Sequence, residues 1–310
     1  MVNRTDLPPV LSRRSFLKTL LGSAAALVGT GAYAFGLEPT FRLQVRRYEL
    51  IPPAWPAGFK LTIAVIADIH VGEPYMPTSK VEEIVATTNA LDADVIVLLG
   101  DYVAGHRFMT RQIGMPEIAP VLASLKAALG VFAILGNHDW WDDFTAQREG
   151  KGPIIAARAL RDVGIPVLEN DAVRLTKGGQ PFWVAGLGDQ IAYLRGRGRF
   201  DGVDDVPGTL AKVDDGSPVI LLAHEPDIFP KVPERVALTL SGHTHGGQVR
   251  LFGYSPMVPS KYGNRYAYGH VFEEGRHLIV SGGLGTSILP VRFGVPPEIL
   301  LIELGESVSA

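Results

Sequence analysis

The 310-residue chain contains no cysteine. That excludes a disulfide framework and any thiolate metal site, so a bound metal must be held by nitrogen and oxygen. Positive charge is also scarce: the formal net charge is −3. The first 34 residues hold four basic side chains (Arg4, Arg13, Arg14, Lys18) and one acid (Asp6), leaving 25 basic and 31 acidic residues in the rest. A chain of that sign is poorly equipped to displace the counterions of a nucleic acid, and no nucleic-acid partner is expected. Repeats and low-complexity segments are absent too. What is abundant is glycine (35) and proline (23), as expected for one α/β domain with many short loops.

The N-terminus reads as a targeting segment. Ser12-Arg13-Arg14-Ser15-Phe16-Leu17-Lys18 resembles the twin-arginine export signal, and an uncharged stretch (residues 19–35) follows it. Ala32-Tyr33-Ala34 is a small-x-small cleavage candidate, while a stretch of about 17 residues is at the short limit for a spanning helix. The expectation is therefore a signal peptide over 1–34, cleaved or retained as a membrane anchor, with the twin-arginine translocase as its partner. The destination is the periplasm or cell envelope. Residues 35–60 form a strand and linker, and 61–310 the catalytic domain.

Strand and helix signals alternate in the first half. Residues 61–67, 94–99 and 131–135 are apolar, β-branched runs typical of strands buried on both faces. Residues 41–50 alternate as a strand, ended by Pro52, Pro53 and Pro56. Ser79-Lys80-Val81-Glu82 reads as a capping box opening a helix, and 117–129 and 154–163 as further helices. The second half is strand-rich: 173–175, 182–187, 219–223, 236–240, 278–280 and 299–302. Such an order suggests two packed sheets with helices outside.

Five short runs follow several of these strands: Asp68-Ile69-His70, Gly100-Asp101, Gly136-Asn137-His138-Asp139, Ala223-His224-Glu225 and Gly242-His243-Thr244-His245-Gly246. In an extended segment residues i and i+2 point the same way, so Asp68 and His70 can grip one metal and His243 and His245 can likewise share one. Asp101 offers two oxygens that can bridge two cations. Asn137 supplies a neutral carbonyl beside His138, and Asp139 can orient that imidazole. His224 ends a buried strand. Singly these are a polar turn or a satisfied core histidine. Together they specify a two-metal hydrolytic centre acting on phosphoesters.

With these blocks the chain resembles a calcineurin-like metallophosphoesterase, most similar to the exported bacterial branch and related to the UDP-2,3-diacylglucosamine diphosphatases. The resemblance spans roughly residues 61–250 by motif and reaches Gly282–Ser287 and Pro296–Glu298. It implies the metallo-dependent phosphatase fold, a four-layer αββα sandwich of two mixed β-sheets. It also implies the ligand set: Asp68, His70 and His245 on one metal, Asn137, His224 and His243 on the other, Asp101 bridging both. An oxygen and imidazole shell suits two divalent ions (Mn, Fe or Zn) that acidify water and clamp an in-line displacement. His138 is left as the general acid.

Several further residues are expected near the substrate. Trp140 and Trp141 can wall the cleft, His106 and Arg107 can contact phosphate, and Gln248 can reach a phosphate oxygen. Arg292 is expected to pair with Glu298, while His270 and His277 fall outside every motif. Protein serine/threonine phosphatases carry an arginine before Gly-Asn-His and an Asp-Arg-Gly after Gly-Asp-Tyr-Val; Leu135 and Ala104-Gly105-His106 stand there instead. The expected substrate is a phosphodiester or pyrophosphate, with phosphomonoesters as the alternative and a metal-stabilised binding scaffold as the non-enzymatic one.

Overall fold

The computed structural model describes residues 12–53, 55–105 and 108–305. In chain order they form helix α1 (Arg13–Ala32), a π-helical turn (Tyr33–Leu37), helix α2 (Glu38–Phe41), strand β1 (Gln44–Leu50) and strand β2 (Leu61–Ile66). Then come α3 (Thr78–Asn89), β3 (Val95–Leu98), α4 (Met115–Leu122), β4 (Val131–Ala133), α5 (Asn137–Trp141), α6 (Phe144–Glu149) and α7 (Ile155–Asp162). The second half holds β5 (Asp171–Lys177), β6 (Gln180–Gly186), α8 (Val206–Leu210), β7 (Val219–Leu222) and β8 (Val236–Ser241). It closes with β9 (Gly269–Glu273), β10 (Arg276–Val280) and β11 (Glu298–Leu304).

The strands make two mixed sheets. One runs β1–β11–β2–β3–β4, parallel except that the last strand of the chain, β11, enters antiparallel to β2. The other runs β9–β10–β8–β7–β6–β5, with parallel pairs inside and an antiparallel pair at each edge. Strict side-chain alternation explains why these strands read as unbroken apolar runs. Ile63 and Val65 enter the core between the sheets, whereas Ala64 and Ile66 face the helices. Ile220 and Leu222 enter the same central core, while Val219 and Leu221 turn outward beneath α8 and the 3₁₀ turn Pro226–Lys231. Three apolar interfaces between four layers result, the expected α/β sandwich.

Local differences from the sequence expectation have simple causes. Helix α3 begins at Thr78 behind an extended Pro77, with no side-chain cap, so Ser79 sits inside the helix. Helix α4 stops at Leu122 rather than near 129, because residues 123–129 turn the chain into β4. The first strand starts at Gln44, since 38–41 continue the helix before it. Strand β9 was not anticipated: only one of its faces is buried, and its short alternation carries His270 at an exposed position.

Candidate metal centre

The five runs all lie at the C-terminal ends of parallel strands, the edge where ligands of open α/β sheets bind. Asp68 follows β2, Asp101 follows β3, Asn137 follows β4, His224 follows β7 and His243 follows β8. Because the two sheets pack face to face, these ends converge. Asp68, His70, Asp101, Asn137, His224 and His245 are each at most 3% exposed.

Their donor atoms fall into two groups, Asp68–His70–His245 and Asp101–His224–His243, each with its atoms within 4.8 Å of one another. Asp101 Oδ2 stands between the groups, 3.4 Å from His70 Nε2 and 3.2 Å from His224 Nε2. Asn137 Oδ1 lies 2.8 Å from His243 Nδ1 and so joins the second group. The two histidines of His243-Thr244-His245 therefore separate into different groups rather than sharing one. The reason is conformational: neither is extended. Asp68, His70, Asp101, His243 and His245 all have φ between 46° and 68°, the left-handed region that non-glycine residues occupy only under constraint.

Close packing enforces that constraint. A Cβ on Gly136 would stand 2.3 Å from Asp101 Oδ1 and 2.6 Å from His224 Cε1; one on Gly242 would stand 2.5 Å from Asp68 Oδ2. Only glycine lets these backbones approach so closely. His224 places its Nδ1 2.6 Å from Leu99 O, and His70 its Nδ1 3.3 Å from Val103 O. Those contacts fix the rings with Nε2 turned inward.

The donor set fits divalent cations. Buried His224 Nε2 faces two carboxylates, Asp101 Oδ2 at 3.2 Å and Asp68 Oδ1 at 3.9 Å, and Asp68 Oδ2 is buried with no hydrogen-bond partner among the described residues. Burial, with Asp101 adding to it against the opposing His224, pushes Asp68 up to about 7. Burial lowers His70 to about 3 and also lowers His243 and His245, keeping these imidazoles neutral as ligands must be. Burial opposes ionisation of Asp101 as well, but the surrounding imidazoles, His224 first, hold its carboxyl below the usual range. Asp101 remains an anion between the two groups.

Around this centre the remaining residues sort differently from expectation. His138, on α5, is partly open, with Nε2 3.4 Å from Ser287 Oγ and its backbone N–H donating to Asp101 Oδ1 at 2.8 Å. Burial works against its charge, yet Asp101 and Asp142 outweigh it and raise its pKa. Asp139 does not orient His138. Its carboxylate accepts from the backbone N–H groups of Asp101 (2.9 Å), Tyr102 (3.0 Å) and Gly136 (2.9 Å), and so ties the β3 and β4 loops together. The carboxylate beside the ring is Asp142, 3.8 Å from His138 Nδ1. The sequence reading misses it because a polar turn at 136–139 does not bring 138 and 142 together, whereas on a helix i and i+4 are neighbours.

Trp140 is 2% exposed and packs edge-on to Tyr193, a core residue rather than a cleft wall. Trp141 takes that place, 5.3 Å from the His138 ring and stacked on Phe200. Gln248 is committed elsewhere: its amide donates to Leu289 O and Val291 O and accepts from Ser287 N, leaving nothing for phosphate. Arg292 does not bond Glu298. It is wholly buried, donates to Gly285 O and Val295 O, and places Nη2 3.2 Å from His245 Nδ1. Glu298 instead accepts from Tyr268 and Gly282. His106 and Arg107 lie outside the described residues. His270 and His277 stack on each other on β9 and β10, outside both donor groups.

A family model described as calcineurin-like phosphoesterase matches residues 61–247. The uncharacterised metallophosphoesterase YkuE of Bacillus subtilis is 32% identical over 302 residues, covering 95% of this chain and 98% of its own length. The phosphodiesterase YaeI of Escherichia coli is 30% identical over 301 residues, covering 95% of this chain and 100% of its own length. Among solved structures, a dimetal phosphatase from Danio rerio aligns with a TM-score of 0.42 at 13% identity, covering 72% of this chain and 88% of that one.

Proposed function

Because the chain belongs to the calcineurin-like phosphoesterases, and is by that membership a phosphoester hydrolase, we propose that it is an exported, dinuclear metal-dependent enzyme that cleaves a phosphodiester or pyrophosphate bond in the cell envelope. The observation that carries the dinuclear reading is Asp101 Oδ2, equidistant within 0.2 Å from the imidazoles of two separate donor groups (3.4 and 3.2 Å). Diester preference draws support from the Escherichia coli relative, which is named a phosphodiesterase. Export draws it from the Ser12–Lys18 signal.

Asp68, His70 and His245 would hold one cation, Asn137, His224 and His243 the other, with Asp101 shared. Divalent cations there, whether Mn, Fe or Zn, supply Lewis acidity that lowers the pKa of water and offsets phosphate charge. The protein's own part is positioning and proton transfer. The left-handed ligand backbones and the crowded glycines fix the donor atoms before substrate arrives, so little reorganisation is needed. His138 donates its Nε2 proton to the departing oxygen, and Asp142 favours the protonated ring that this role requires. Trp141 borders the same opening.

The test is hydrolysis of bis-p-nitrophenyl phosphate beside p-nitrophenyl phosphate, after chelation and re-addition of single metals. Metal-dependent cleavage favouring the diester is expected. Faster cleavage of the monoester would assign a phosphomonoesterase, and no cleavage with any metal would leave a binding scaffold.

A further inference from the structure

Helix α1 and the turns after it form one helical rod, Arg13–Thr40, of 28 residues, long and apolar enough to cross a membrane. Its part that precedes the domain contacts, α1, has 20 residues; at 1.5 Å per residue that is about 30 Å, the thickness of the hydrocarbon core. No residue of α1 is buried, and Leu20, Leu21, Leu27 and Val28 are exposed.

The rod does not hang free from the domain. Ala34 O accepts from Arg292 N at 2.9 Å, Tyr33 meets Phe293 edge-on, and Glu38 Oε1 accepts from Val295 N at 2.9 Å. Ala34 and Glu38 are 6% and 2% exposed. The small-x-small cleavage candidate is thus helical and docked, whereas a peptidase needs an accessible, extended segment.

The loop that receives the rod also carries an apolar display. Phe293 exchanges backbone hydrogen bonds with Gln248 and Arg250, joining residues 248–257 to residues 287–293. From these loops and the rod's end, Phe35, Phe252, Met257, Ile288 and Leu289 project into solvent, Phe252 completely. Phe252 sits with φ 50° before Gly253 with φ 83°, at the tip of a tight turn closed by the Leu251–Tyr254 bridge. Asparagine or glycine suits that position better. Phe252 neither eases the turn nor packs the core. On its inner side the same loop brings Ser287 to His138, so the display runs up to the rim of the metal centre.

We propose that the rod is a retained membrane anchor and that this apolar patch rests in the headgroup and outer acyl region of the bilayer, so that the mouth of the metal centre opens at the membrane surface. Exposed apolar side chains on two hydrogen-bonded loops, joined to a rod long enough to span, fit lipid. Arg13, Arg14 and Lys18 at the rod's far end place that end on the cytoplasmic side, opposite the domain. The docking rests on the export reading only for which side the domain occupies.

The absence of native cysteine makes single-cysteine reporters unambiguous. Full-length Phe252→Cys, Ile288→Cys and Lys126→Cys would be labelled with bimane and placed in phosphatidylethanolamine–phosphatidylglycerol vesicles. Lys126 is exposed before β4, at the sheet end opposite the centre. Lipids brominated near the headgroup end of their chains should quench positions 252 and 288 several-fold and leave 126 unchanged. The intact mass from the membrane fraction should include residues 13–34. Quenching of 252 and 288 by aqueous iodide, as at 126, would overturn the proposal. So would shielding from iodide without lipid quenching, which indicates contact with another protein copy, or a mass starting at Phe35. Hydrolysis of bis-p-nitrophenyl phosphate by the same variants reads the phosphoesterase activity separately.

Discussion

Replacing Asp139 separates a structural carboxylate from a catalytic one. Its two oxygens accept three buried backbone N–H groups, those of Asp101, Tyr102 and Gly136. Leaving a buried donor unpaired costs roughly 1–3 kcal/mol, so three would cost roughly 3–9 kcal/mol. Water entering the vacated space re-pairs some of them, and about 3–5 kcal/mol is expected for Asp139→Ala. That is a large fraction of the roughly 5–15 kcal/mol that holds a domain together. At about 2–4 °C per kcal/mol, the melting temperature should fall by about 6–20 °C. Asp139→Asn keeps one oxygen for two of the donors but turns an amide N–H₂ towards the third, so about 1–3 kcal/mol should be lost. Urea unfolding with tryptophan fluorescence measures both variants, including one that is only marginally folded. A loss below about 1 kcal/mol in Asp139→Ala, with slowed catalysis as the only effect, would refute this reasoning and return Asp139 to orienting His138.

Three further outcomes are expected. His138→Asn should keep its metals but lose about 10²–10⁴-fold in rate on esters with alkyl leaving groups, and much less on nitrophenyl esters, whose leaving group needs no proton; equal losses on both would remove the general-acid role. Gly136→Ala should fail to bind metal, because its Cβ would stand 2.3 Å from Asp101 Oδ1; wild-type metal content in that variant would show that the loops can yield. Arg13-Arg14→Lys-Lys should strand the protein in the cytoplasm, since lysine lacks the guanidinium fork, and unchanged delivery would mean another export route.

The strands were legible because burial on both faces leaves a continuous apolar run, as in 61–66 and 219–222. The ligand residue types were legible for a related reason, as each follows such a run. Their pairing was less so. Reasoning from extended backbone joined His243 to His245, but left-handed φ values send the two rings to different groups. Only the surrounding packing determines such values. Helix α5 was also hidden: five residues carry too little periodicity to announce a helix, and with it went the His138–Asp142 neighbourhood. Arg292 misled by charge matching, since a buried guanidinium can be satisfied by backbone carbonyls of its own loop.

Metal stoichiometry of the purified protein and of Asp101→Ala tests the central claim most directly. The two donor groups meet at Asp101 Oδ2, so removing that carboxylate should leave like-charged ions unscreened and weaken both sites together. Elemental analysis should find two divalent ions per chain in the wild type. Asp101→Ala should carry well under two and show no phosphoesterase activity. A wild type saturating at a single ion, or an Asp101→Ala variant that keeps both ions and normal turnover, would contradict the account.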